Sequence, residues 1–132
     1  MDNGPLVKEE IDAGRELVRR LNHYRPVKAA FWLKASDKPN HYLYIASERI
    51  EGATLELDYH QVSQVMREMQ NPDLDGFRIK VVAADHPLAR EAIQTAERFP
   101  MVTGRRTGGG PFGGVFTDDV YIYPLPLPAV VG

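Results

Sequence analysis

From Val7 to Tyr24 the apolar residues Ile11, Leu17, Val18 and Leu21 recur at helical spacing, and Glu16 stands four residues ahead of Arg20 as a supporting ion pair. This predicts an amphipathic helix that Pro26 closes. The next stretch, VKAAFWLKA, sets Val27, Ala29, Phe31 and Leu33 against Lys28, Ala30, Trp32 and Lys34, a period of two that predicts a strand. After the turn residues SDKPN, the stretch HYLYIAS puts Leu43 and Ile45 on one side and Tyr42 and Tyr44 on the other, which completes a hairpin.

A second helix is predicted from Asp58 to Gln70, with Tyr59, Val62, Val65, Met66 and Met69 inward and His60, Ser63, Gln64 and Arg67 outward. NPDLDG interrupts, and FRIKVVAA predicts a strand with Phe77, Ile79 and Val81 on one side and Arg78, Lys80 and Val82 on the other. Asp85 and His86 are cap candidates for a third helix that starts at Pro87 and lines Leu88, Ala92, Ile93, Ala96 and Phe99 along one face. Val115 to Tyr123 supply a last strand, with Met101 to Thr103 as candidates to pair with it. The order α-β-β-α-β-α-β over residues 1–123 predicts one two-layer α+β domain: a mostly antiparallel sheet of four to five strands with the helices on one face. PLPLPAVVG, residues 124–132, is expected to be an extended proline-rich tail.

Composition narrows the chemistry. With no cysteine among 132 residues, disulfides, thiolate catalysis and Cys-ligated metals are excluded. His23, His41, His60 and His86 lack metal-ligand spacing, so no metal or cofactor is expected. Residues 1–12 carry no basic run followed by an apolar stretch, and no 18 apolar residues run together, so a cytoplasmic protein with no membrane contact is expected. A net charge of −2 removes the broad positive field of a duplex-DNA binder.

The stretch GRRTGGGPFGG, Gly104 to Gly114, satisfies G-x-G-x-x-G through Gly108, Gly110 and Gly113. A dinucleotide loop must open a helix, whereas here a strand follows, and no Lys-Ser or Lys-Thr of a Walker loop is present. A hairpin connection with positive φ at glycine explains it better, with Arg105 and Arg106 available to an anion or an acidic partner. Asp118 and Asp119 are adjacent on a strand, where side chains point to opposite faces and cannot form one paired acidic site, so a bend or bulge is expected there.

Read together, the strands suggest one functional surface. With Phe31, Leu43, Ile79 and Ile122 toward the helices, the other face would collect Lys28, Trp32, Lys34, Tyr42, Tyr44, Arg78, Lys80, Tyr121 and Tyr123. Aromatic rings beside Lys and Arg are what protein interfaces use, and the expectation is a non-catalytic binding domain that contacts a protein partner or a second copy of itself. Single-stranded nucleic acid, or another anionic ligand, is the alternative for the same residues together with Arg105 and Arg106. A small enzyme built on Asp85, His86 and His60 is the third reading.

Overall fold

The computed structural model describes residues 6–50, 54–99 and 104–124. In chain order the helices are α1 (Lys8–Tyr24), α2 (Tyr59–Met69) and α3 (Pro87–Arg98). The strands are β1 (Val27–Ala35), β2 (Tyr42–Ser47), β3 (Arg49–Ile50), β4 (Thr54–Leu55), β5 (Ile79–Ala83), β6 (Arg105–Thr107), β7 (Gly110–Phe112) and β8 (Val115–Ile122). The segment Met101–Thr103 and residues 125–132 of the expected tail lie outside the described residues.

The main sheet runs β5-β2-β1-β8-β6, with β7 hairpinned onto β8. The α+β class is as expected, but the sheet is mixed: β5 lies parallel to β2, while β1, β2, β6, β7 and β8 pair antiparallel. A parallel pair cannot be joined by a tight turn, and the crossover here contains the small β3–β4 ladder and α2. β3 and β4 were not anticipated from the sequence. Nor were β6 and β7: the glycine-rich stretch is ordered as two short strands, and Gly113 and Gly114 turn β7 into β8 with φ of 58° and 87°.

The expected arrangement of all helices on one face is corrected. α1 and α2 cover the face that carries Val27, Ala30, Trp32, Leu43, Ile45, Ile79, Tyr121 and Tyr123. α3 covers the opposite face, against Ala29, Phe31, Leu33, Ala46, Val120 and Ile122. The physical reason lies in β1, where Ala29 through Leu33 are all buried. An unbroken apolar run in a strand has to be covered on both sides.

Each helix is fixed at its start. The Glu10 carboxylate accepts from Val7 N–H, Asp58 and Gln61 form a reciprocal capping box on α2, and His86 Nδ1 accepts from Leu88 N–H with Pro87 in the first turn of α3. α1 lies close on the sheet at Gly14, where an added Cβ would stand 2.3 Å from the Tyr123 hydroxyl oxygen.

Candidate functional site

The register of the strands decides where the predicted surface residues go. Trp32 pairs with Leu43 on one side and Tyr121 on the other, whereas Phe31 pairs with Tyr44, and Tyr44 with Lys80. Directly paired residues share a face, so the expected aromatic and basic set divides between the two faces. It does not form one open surface.

Trp32, Tyr121 and Tyr123 belong to the core under α1 and α2. Trp32 Nε1 donates to the Tyr123 hydroxyl at 2.9 Å, and that hydroxyl donates to the Ile11 carbonyl at 2.6 Å. Arg15 donates to the Tyr121 hydroxyl at 3.3 Å. Burial drives the Tyr123 phenol far above its usual pKa, partly offset by the Trp32 hydrogen bond, so this side chain is a neutral structural tie.

The predicted cations are largely held by carboxylates. Lys34 pairs with Asp118 at 2.6 Å, Arg78 with Glu10 at 2.8 Å, and Arg106 makes two bonds to Asp119 at 3.1 and 2.6 Å. Arg105 lies over the Phe99 ring at 4.3 Å. Asp118 and Asp119 meet the expectation of a bulge: Lys34 stands opposite Asp119 and Ala35 opposite Thr117, which leaves Asp118 as the extra residue. The buried His41 Nε2 donates to Asp119 at 2.9 Å. Burial opposes ionisation of Asp119, but its bonds from Arg106 and His41 prevail and hold its pKa below the ordinary carboxylate value.

Among the described residues, a different region stays open, along the outer edge of β5. On the α3 face, Tyr42 and Tyr44 are half-buried, Tyr44 stacks on Phe31 with centroids 5.2 Å apart, and the Lys80 ammonium lies 5.1 Å from the Tyr42 ring centre. Burial raises the Tyr44 pKa, with Tyr42 and Tyr59 adding to the shift. Beyond the carboxyl end of β5 opens a cleft of about 540 Å³, lined by Arg49, Leu55, Val81, Val82, Ala83, Asp85, His86 and Pro87.

Asp85 and His86 therefore do line a cleft, but His60 is exposed on α2 and is not part of it. Arg49 Nε lies 3.6 Å from Asp85. His86 is engaged as the α3 cap, and Gly113 packs against Pro87 and Leu88, where a Cβ would come within 2.9 Å. The Leu88 N–H at the amino end of α3 is thus already satisfied by the His86 ring. Among the described residues no group of three or more His, Asp or Glu side chains could hold a metal ion, and no helix is long and apolar enough to cross a membrane.

Sequence reasoning missed Arg49, Leu55, Tyr59 and Phe77. Tyr59, expected inward, is 54% exposed, and its hydroxyl accepts from Val81 N–H at 3.0 Å. Phe77, expected to face the core from a strand, sits on a 3₁₀ turn (Gly76–Arg78) and is 95% exposed. The Asp-Gly pair ahead of it carried the signal, because the Asp75 carboxylate accepts from Phe77 N–H at 2.9 Å and delays the strand until Ile79. Comparison with known protein families, curated proteins and solved structures finds no match to this chain.

Proposed function

We propose that this chain is a non-catalytic binding domain that contacts another protein through side chains along the β5 edge. The observation that carries this reading is how that edge is finished. Ile79 N–H donates to the Gly76 carbonyl and Val81 N–H to the Tyr59 hydroxyl, so outward-pointing donors of the edge strand are already used within the chain. Such an edge resists addition of a further strand. Its side chains nevertheless present aromatic and apolar surface: Phe77, Tyr59, the Tyr42–Lys80 pair and the apolar wall of the cleft. Aromatic anchors bordered by charge are the usual material of protein interfaces.

The ion pairs of Lys34, Arg78 and Arg106 weigh against the single-strand alternative, since each cation would have to leave a carboxylate to reach a phosphate. The enzyme reading loses support with His60 outside the cleft and His86 spent on a helix cap.

The test is site-specific photo-crosslinking in the source cell. A benzophenone amino acid at position 80 should give a discrete protein adduct, while the same probe at the exposed Lys38 on the β1–β2 turn gives none. Equal labelling from both positions would defeat the reading. Fluorescence anisotropy with a labelled single-stranded oligonucleotide at low salt should show no binding, and saturable binding would restore the alternative.

A further inference from the structure

We infer that residues 125–132 fold back into the cleft at the carboxyl end of β5 of their own chain, and that this segment competes for the cleft with the partner of the β5 edge. The docking stands on its own observations, and only the competition rests on the proposed binding role.

Strand directions bring segment and cleft together. β1 is antiparallel to both β8 and β2, and β5 is parallel to β2, so β8 and β5 point the same way and finish at one margin of the sheet. Tyr123 N–H donates to the Ala30 carbonyl at 3.0 Å, Ala30 pairs with Ile45, and Ile45 pairs with Val81, which lines the cleft. Pro124 comes next and is buried, so the chain is anchored in the sheet up to the point where the segment leaves it. From β8 to β5 is three strand spacings, about 14 Å. Eight residues of extended, proline-rich chain reach about 25 Å, and Ala129 to Val131 stand about 16–22 Å along it. The cleft is within their reach.

Chemistry selects this occupant. The segment LPLPAVVG holds no charged and no hydrogen-bonding side chain, in a chain of which 26% is charged. Left in water it would present a continuous apolar surface, which proteins seldom expose. The cleft supplies the complement: Leu55, Val81 and Val82 are half-buried, Ala83 and Pro87 complete an apolar wall, and the volume is about 540 Å³. Pockets that bury a ligand are typically about 300–1,000 Å³. Pro126 and Pro128 have no N–H, which suits a contact through side chains at an edge whose Val81 N–H is already held by Tyr59. Their fixed φ also lowers the entropy lost on docking. His86 Nδ1 accepts from Leu88 N–H, so the proton of the neutral ring sits on Nε2, a donor among the cleft residues for a carbonyl of the segment.

The full-length chain has no cysteine, so one pair at a time can be introduced. Asp85→Cys/Val131→Cys tests the docked position. Arg25→Cys/Val131→Cys is the control, because the exposed Arg25 lies just ahead of β1, one strand from β8, where an undocked segment would bridge at least as fast. Under mild oxidation of dilute protein the 85–131 disulfide should form at least about tenfold faster than the 25–131 disulfide. In ¹⁵N-labelled protein, Val130→Asp/Val131→Asp should shift the amide signals of Leu55, Val82 and Ala83 and leave those of α1 in place, since a carboxylate cannot follow an apolar side chain into the cleft. The same variant should raise the yield of partner captured by the position-80 probe. Equal or faster bridging to position 25, or cleft amides indifferent to the double aspartate variant, would overturn the inference. So would 85–131 bridges formed only between chains with a yield that rises with concentration, which would give the cleft to a second copy. Docking with an unchanged yield of capture would overturn the competition. Capture at position 80 without docking sinks the fold-back alone, and docking without capture in either form sinks the binding role alone.

Discussion

On the α1–α2 face of the sheet, Trp32 and Tyr123 are 2% and 1% exposed and joined in a hydrogen-bond chain that ends on the Ile11 carbonyl. On the α3 face, Tyr42 and Tyr44 are half-buried, and Lys80 rests on the Tyr42 ring. Both faces hold aromatics drawn from the same short strands. What separates them is coverage: α1 is brought down on its face by Gly14, while α3 packs chiefly over β1 and leaves the β2–β5 margin partly open. An aromatic residue in a strand is thus structural or available according to the helix above it, not according to its type.

If that contrast is correct, Trp32→Ala should produce the largest loss in the molecule. It empties a buried site and removes the donor from the Tyr123 hydroxyl, so a destabilisation of about 3–5 kcal/mol is expected in urea or guanidinium unfolding. Tyr44→Ala, on the partly open side, should cost less than half as much. Equal losses at the two positions would abolish the distinction between the faces.

Gly14→Ala tests the close approach itself. Alanine favours a helix interior over glycine by about 1 kcal/mol, so an exposed glycine in α1 would gain stability from this change. Here the new methyl would stand 2.3 Å from the Tyr123 hydroxyl and 3.0 Å from Trp32 Nε1, and overpacking of this kind costs about 1–3 kcal/mol. A net loss is expected, read as a lower unfolding midpoint at unchanged m-value. A gain would mean that α1 can withdraw from the sheet.

The sequence made α1, β1, β2, α2, α3 and β8 legible because each carries several turns or alternations of apolar residues. β3, β4, β6 and β7 span only two or three residues, too few for a period to register, and Pro111 inside β7 argues against a strand on propensity. The division of the candidate surface failed for another reason. Alternation tells which residues of one strand share a side, but the phase between strands depends on register, and nothing in HYLYIAS states that Leu43 sits beside Trp32 rather than Phe31. Ala29 to Leu33, apolar without interruption, was the available sign that both faces are covered. Phe77 was misplaced because its hydrophobicity outweighed the Asp-Gly turn in front of it.

Asp119, enclosed by His41 and Arg106, contrasts with the exposed Asp85 at the β5 edge. Because the folded pKa of Asp119 lies below its unfolded value, its contribution is present above about pH 4 and is lost as pH falls through the folded value. Asp119→Asn should cost about 1.5–3 kcal/mol near neutrality, and the gap from the parent should narrow below about pH 4. Denaturant curves at stepped pH measure this. Asp85→Asn should shift the curve by less than about 0.5 kcal/mol near neutrality, since its pair with Arg49 is long and exposed.

The smallest effect is expected at Lys80, and its smallness is informative. The ammonium lies 5.1 Å from the Tyr42 ring centre, a contact worth about 0.5–1 kcal/mol at an exposed site, and the rest of the side chain is in water. Lys80→Ala uncovers the ring, so stability should fall by less than about 1 kcal/mol, while capture of a partner by a probe at position 42 should change in yield. A residue held only for stability would move the first quantity and leave the second alone. A loss above about 2 kcal/mol would mean that the β2–β5 margin is as tightly built as the Trp32 side, and the distinction between the faces would disappear with it.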